Sequence, residues 1–243
     1  MTNPTAAMLV IGDEILSGRT RDANMYHLAG EMTKLGINLK EVRVVSDDAD
    51  AIVEAVNTLR ARFDTVFTSG GIGPTHDDIT ADCIAAAFGV AIDVREDARA
   101  LLAANYASRG IELNEARLRM ARIPDGATLI DNPVSTAPGF TLGNVHVMAG
   151  VPSIFQAMVA SVVPSLTGGA PLISETIRVD RPEGDVAGPL ADVASANPSL
   201  SIGSYPFNNA SGMGSNIVIR GSDGDLVAQV ATELRGVFAG FVG

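Results

Sequence analysis

Gly70, Gly71 and Gly73 stand just ahead of two adjacent acids, Asp77 and Asp78, and of Thr80 in the stretch TSGGIGPTHDDIT. Glycines free a backbone for positive φ and for close approach to a ligand. A glycine loop that runs into a helix N-terminus makes an anion site, because unpaired N–H groups point outward and the helix dipole adds roughly half a positive charge there. Phosphate suits such a site, but a carboxylate beside a phosphate repels it unless a cation comes between them. Mg²⁺ or another divalent cation resolves the conflict, since Mg²⁺ takes one or two carboxylates, several waters and substrate phosphate oxygens. Thr68, Ser69, Gly70, Gly71, Gly73 and Thr80 are therefore the candidate phosphate-binding residues, with Asp77 and Asp78 beside them as candidate catalytic acids. The plainer reading of Asp78 is that it caps the helix that follows. The loop is neither the ATPase phosphate loop nor the dinucleotide fingerprint.

The elements that must position these residues follow from hydrophobic pattern. Thr65–Thr68 is a β-branched and aromatic run, and Cys83, Ile84, Ala87 and Phe88 give the following segment an apolar face at helical spacing. Ala6–Ile11 reads as a buried strand that breaks at Gly12, Asp13 and Glu14, and a polar loop through Asp22 follows. Asn24 is then expected to cap a helix with Met25, Leu28, Met32 and Leu35 on one face, stopped at Gly36. Ile37–Val45 is the second strand and ends at Asp47 and Asp48, after which Ile52, Val56 and Leu59 mark another helix. Strand and helix alternating three times predicts an α/β fold with a three-layer, doubly wound, mainly parallel sheet. Ligands of such sheets bind beyond the carboxyl ends of the strands. Three polar clusters share that rim: Gly12-Asp13-Glu14, Asp47-Asp48 and the Gly70 to Asp78 loop.

Composition narrows the partners. The chain has 243 residues, 47% of them hydrophobic, and a net charge of −11, so it carries no general electrostatic footprint for nucleic acid or an anionic membrane surface. Cys83 is the single cysteine, which excludes an intrachain disulfide and points to a reducing compartment. The N-terminal stretch lacks a basic leader and a spanning apolar run, so the expected location is cytoplasmic. His27, His76 and His146 form no zinc pattern, although His76 sits in the loop beside Asp77, where it is either an acid–base group or an ordinary polar residue. Arg117, Arg119 and Arg122 lie on a predicted helix and have two readings, a solvated face or a guanidinium that reaches phosphate.

TSGGIGPTHDDIT resembles the phosphate-loop signature of the MoaB/Mog molybdopterin-binding family, and its GGxGPTxDDxT form resembles the CinA-type proteins within it. GDEILSGRTRDAN is similar to their GDExLxGxxxDxN opening, which adds Gly12, Asp13, Glu14, Asp22 and Asn24 to the site rim. The segment NPVSTAPGF and the following AGVP are similar to the family's NPxGTAPGF and PGVP, with Ser135 in place of Gly, Ala149 in place of Pro and Ile154 where an acid is frequent. The resemblance implies a MoaB/Mog-like domain over residues 1–168. After the Gly168-Gly169 hinge, hydrophobic pattern predicts a smaller α+β domain of βαββα order over 171–243, whose IGSYP is similar to CinA-type proteins and eukaryotic FAD synthases. The chain ends at Gly243, so the amidohydrolase domain of longer CinA proteins, and nicotinamide-nucleotide deamidation, are not expected.

For function, the resemblance implies a metal-dependent pyrophosphatase acting on ADP-ribose or FAD. Asp78 and Asp47 would hold the metal, and Asp77 or Glu14 would orient water. The alternative is a non-hydrolytic molybdopterin-binding protein, or a molybdopterin adenylyltransferase, in which acids at positions matching Asp47 and Asp78 serve and molybdopterin is the ligand. A third reading is a regulatory or structural protein whose site has decayed. The family also implies a homo-oligomer.

Overall fold

Every residue after Thr5 in TAAMLVI is apolar or small, and Thr5–Ile11 forms a strand, β1, buried on both faces. The structure, a computed structural model, describes residues 3–209 and 212–240, so the outer ends of both expected domains, residues 1–2 and 241–243, lie outside the described residues. After β1 come α1 (Asp13–Leu16), α2 (Asn24–Lys34), β2 (Asn38–Val45), α3 (Ala49–Arg62), β3 (Thr65–Ser69) and α4 (Thr80–Phe88). Then follow β4 (Ile92–Val94), α5 (Glu96–Ser108), α6 (Glu115–Leu118), β5 (Arg122–Pro124), β6 (Thr128–Ile130), β7 (Gly139–Leu142), β8 (Val145–Met148) and α7 (Pro152–Val162).

Six of these strands form one sheet in the order β2-β1-β3-β8-β7-β6. β2, β1, β3 and β8 are parallel, β7 runs antiparallel to β8, and β6 runs antiparallel to β7. Successive side chains of a strand leave opposite faces, so β1 builds two cores at once. Ala6, Met8 and Val10 meet Leu28 and Met32 of α2 and Phe155 and Met158 of α7. Ala7, Leu9 and Ile11 meet Ile52, Val56 and Leu59 of α3 and Cys83 and Ile84 of α4. The result is the expected three-layer, mainly parallel α/β architecture. The chain leaves β1 toward β2 on one side and returns to β3 on the other, so the switch point lies beyond the C-terminal ends of β1 and β3.

One unit ends at Gly169 and a second begins at Ala170. The second contains β9 (Ile173–Val179), α8 (Glu183–Ala196), β10 (Ser201–Asn209), β11 (Gly212–Gly221) and α9 (Gly224–Val237). Its antiparallel sheet, ordered β10-β11-β9, has its own core, in which Ile177, Val179, Ile217 and Ile219 pack with Val186, Leu190, Val230 and Leu234. A separate two-stranded ribbon of β4 and β5 was not expected from the pattern, because three-residue strands are too short to show alternation. Cys83 is a core residue whose thiol burial pushes up to about 11, so it is inert in the folded chain. Among the described residues no helix is long and apolar enough to cross a membrane.

His146 lies on β8 with its Nδ1 2.9 Å from the Thr141 hydroxyl, and burial pushes its pKa down to about 4 from 6.5. Between those values the folded state holds fewer protons than the unfolded chain, so this contribution to stability is complete above pH 6.5 and is lost as the pH falls toward 4. The expected loss across the window is on the order of 3 kcal/mol. Urea unfolding of the wild type and of His146→Gln at stepped pH checks this, the variant giving the flatter profile above pH 5, a point inside the same window.

Candidate functional site

The loop after β3 is shaped by two contacts that only glycine permits. Gly70 and Gly71 have φ of +112° and +67°. A Cβ on Gly70 would lie 2.2 Å from the Ile11 carbonyl oxygen, and one on Gly71 would lie 2.1 Å from Thr80 Oγ1. The Gly70 N–H donates to the Met148 carbonyl at 3.1 Å, which ties the loop to β8. Thr80 staples the loop to the start of α4, its N–H donating to the Gly71 carbonyl at 2.9 Å and its hydroxyl to the Gly70 carbonyl at 3.0 Å. Asp78 Oδ2 accepts from both the N–H and the hydroxyl of Thr75, at 2.8 and 2.6 Å, and closes the rest of the loop. The N–H groups of Gly71, Ile72 and Gly73 donate to no acceptor among the described residues.

The two neighbouring strand ends bring acids to the same rim. Gly12 N–H donates to the Val45 carbonyl at 3.1 Å, and Asp13 N–H donates to Asp47 Oδ2 at 3.0 Å. Burial raises the Asp47 pKa above the usual carboxylate value, opposed by the Asp13 N–H and reinforced by the charges of Asp13, Glu14 and Asp77. A cavity of about 510 Å³ lies over this rim. It brings together Gly12 and Glu14 after β1, Asp47 after β2, and Gly70, Gly71, Gly73, Asp77 and Asp78 after β3. Every charged side chain in its lining is a carboxylate, and Ile72, Met120, Val151 and Ile154 form an apolar wall.

Other candidates stand elsewhere. Thr68 is fully buried on β3, and its hydroxyl has no partner and no access to the cavity. Ser69 and Asn24 are buried and bond to each other at 2.7 Å, while the same Asn24 amide reaches the Gly150 carbonyl at 2.7 Å. Asn24 is thus a cross-brace and not the cap of α2; Asp22 makes the capping bond, to the Met25 N–H at 2.9 Å. Thr80 is fully buried, with its hydroxyl committed to the loop, so it supports the rim and does not line it. Asp13 contributes its backbone, and its side chain is absent from the lining. Asp78 makes no cap for α4, which leaves its carboxylate to the Thr75 turn. The His76 side chain is 99% exposed, and its one charged neighbour is Asp77, whose Oδ1 lies 3.9 Å from Nδ1. Arg117 stacks over Tyr106, and Arg122 pairs with Asp82. Arg119 donates to the Asp78 carbonyl at 3.0 Å, and Arg119 and Arg122 line a small cleft beside Gly71, Ile72, Gly73 and Asp78, next to the loop but outside the large cavity.

Sequence reasoning passed over the segment after β6 as part of the cavity wall. Asn132 organises it: Oδ1 accepts from the Val134 and Ser135 N–H groups, both at 3.1 Å, and Nδ2 donates to Ser135 Oγ at 2.6 Å and to the Ala137 carbonyl at 2.7 Å. Asn132, Ser135 and Ala137 line the cavity. Between them Thr136 has φ of +69°, the sole positive φ outside glycine among the described residues. A β-branched residue there is strained. The Asn-Pro and Ala-Pro-Gly punctuation was a turn signal, but which wall the turn would build depended on long-range pairing.

A family model described as "Probable molybdopterin binding domain" matches residues 7–168. The chain belongs to this molybdopterin-binding, MoaB/Mog-type family. A second model, "FAD synthase, middle domain", matches residues 171–241. The crystal structure of a CinA protein "with unknown function" from Thermoplasma acidophilum is similar to this member of the family, with a TM-score of 0.61 and 34% identity over 66% of this chain and 98% of that one. A protein of Pyrobaculum calidifontis is 38% identical over 212 residues, 84% of this chain and 81% of the relative. A "Probable FAD synthase" of Caenorhabditis elegans is 32% identical over 98% of this chain, which spans 50% of that relative's length. The family is therefore MoaB/Mog-type with a CinA-like relative.

No three His, Cys, Asp or Glu side chains among the described residues could hold a metal ion by themselves. Mg²⁺ does not need such a cage, since phosphate oxygens and waters complete its shell. The donor set fits: hard carboxylate oxygens, of which Asp47 already carries a raised pKa from burial and like charge. Two substitutions test this account of the rim. Because the Asp47 carboxyl is raised in the folded state, ionising it costs stability as pH rises, so Asp47→Asn should raise the urea midpoint at neutral pH, by an amount that vanishes as pH falls below the unfolded carboxylate pKa. Thr136→Gly should gain roughly 1 kcal/mol in urea unfolding, the relief of a strained conformation exceeding the entropy of a new glycine.

Proposed function

We propose that this protein binds a nucleotide or pterin phosphate at the β1–β3 switch point with the help of a divalent cation, and that it cleaves a nucleoside diphosphate linkage such as that of ADP-ribose or FAD. One observation carries the reading: three successive N–H groups, of Gly71, Ile72 and Gly73, lack protein acceptors beside a cavity whose charged lining is all carboxylate. The amides call for an anion, and the carboxylates forbid one unless a cation is shared. Asp47 and Asp78 would hold that cation, which when bound would neutralise phosphate charge and polarise a phosphoryl oxygen.

The chain's own groups divide the remaining work. The free loop amides bind and orient the phosphate, and the N-terminus of α4 adds its dipole. Asp77 or Glu14, both in the cavity lining, accepts a proton from the attacking water as the new P–O bond forms and the bridging P–O bond breaks. Ile72, Met120 and Ile154 offer an apolar surface for a flat base. The same wall supports a second reading, a pterin phosphate held without hydrolysis or adenylylated from Mg-ATP. Membership of a molybdopterin-binding family favours that ligand.

Product release from ADP-ribose, FAD, NAD and ATP, measured with Mg²⁺, Co²⁺ or EDTA, separates the two. Hydrolysis of one diphosphate is expected, lost with EDTA and reduced about 10²-fold or more in Asp78→Asn and in Asp47→Asn. Metal-dependent hydrolysis that survives in Asp78→Asn would remove that residue from the site. No hydrolysis in the panel, with AMP transfer to molybdopterin, would establish the second reading.

A further inference from the structure

A cavity of about 440 Å³ opens at the opposite end of the parallel strands from the carboxylate rim, beside the start of β3, the turn before β8 and the segment after α7. Its size lies within the range of small-molecule sites. None of its polar groups has a part in the phosphate site. His146 is 7% exposed, with Phe67 ring-to-ring at 5.1 Å and Nδ1 occupied by the Thr141 hydroxyl. Its Nε2 makes no bond to the protein and is not sealed, so it faces the cavity that the residue lines. A nine-tenths buried imidazole held by one nitrogen, with the other open, is a preorganised ligand contact.

Beside the hydroxyls of Thr65, Ser165 and Thr167, Asn144 and Asp64 each keep an unpaired acceptor oxygen. Asn144 donates both amide protons, to the Arg60 carbonyl at 3.0 Å and the Phe63 carbonyl at 2.9 Å, which leaves its side-chain oxygen unpaired. Asp64 takes the Thr5 N–H and hydroxyl on Oδ2, at 2.8 and 2.7 Å, which leaves Oδ1. Asp64 is also the one charged side chain in the lining. A carboxylate with acceptor neighbours repels anions and attracts N–H cations. One carboxylate and one imidazole fall short of a metal site. Ile37 and Leu166 supply apolar surface.

We propose that this cavity is a second ligand site, for a small amidinium or ammonium compound with an apolar body, whose N–H groups meet Asp64 and Asn144, and meet His146 Nε2 in the tautomer whose Nδ1–H donates to the Thr141 hydroxyl, while Ile37 and Leu166 cover the body. The site does not depend on the reading of the phosphate rim.

Benzamidine, titrated into the full chain with ¹⁵N NMR, is the test. Saturable shifts are expected at Asp64, Asn144 and His146. Neutral benzamide should bind about tenfold more weakly or worse, as should benzamidine to Asp64→Asn, since a charge-assisted bond is removed in each case. Leu166→Trp, which fills the cavity and leaves the charged group alone, should abolish the shifts while the folded spectrum persists. If Asp64→Asn does not fold, the benzamide comparison and Leu166→Trp decide. The proposal is overturned by an absence of saturable shifts, by shifts confined to Glu14, Asp47 and Asp78, or by equal affinity for benzamide.

Discussion

The carbonyl of Ile11 and the Cα of Gly70 are packed so closely that no side chain can stand between them, and the rest of the site depends on that contact. β1 and β3 are adjacent parallel strands that both end there, so the loop leaving β3 must bend away at once. Positive φ at Gly70 and Gly71 makes the bend, and the bend turns the amides of residues 71–73 away from every protein acceptor. Thr80 then fixes the far side of the bend to α4, Asn24 ties Ser69 to the loop after β8, and Arg119 holds the Asp78 carbonyl. The loop is thereby held rigid by groups that do not touch the cavity, which is what preorganisation of a binding site requires.

Electrostatics at the rim runs against folding stability. Glu14, Asp47, Asp77 and Asp78 share one cavity without a basic side chain in its lining, and burial, reinforced by neighbouring carboxylates, raises the Asp47 pKa. A chain selected for stability alone would not gather like charges there. The strained Thr136, between the lining residues Ser135 and Ala137, is a second such cost. Both lie where ligand contacts would form, and the remainder of the first unit is ordinary: two apolar cores on either side of a sheet, with few buried polar groups.

Much of this was readable from residue order. The apolar run at Ala6–Ile11 predicts a strand buried on both faces, which requires helices on both sides. The loop glycines between a β-branched run and an apolar helical pattern predict the turn from β3 to α4, and chain order alone places three strand ends on one rim. The roles of the threonines and asparagines were not readable. A Thr beside a glycine loop offers the same hydroxyl whether it contacts phosphate, as expected for Thr68 and Thr80, or is turned inward, as both are. Asn24 looks like a helix cap in sequence, and only the proximity of Ser69 and Gly150 makes it a brace.

The sequence by itself determined the elements, their parallel order and the chemical types on the rim, because those follow from local periodicity and from backbone freedom at glycine. Tertiary structure decided which polar side chains reach the cavity, that residues 132–137 form its far wall, and that a second cavity opens around His146. Those outcomes rest on contacts between segments remote in the chain, where a rotation of one strand residue exchanges core for solvent, and no local pattern encodes that choice.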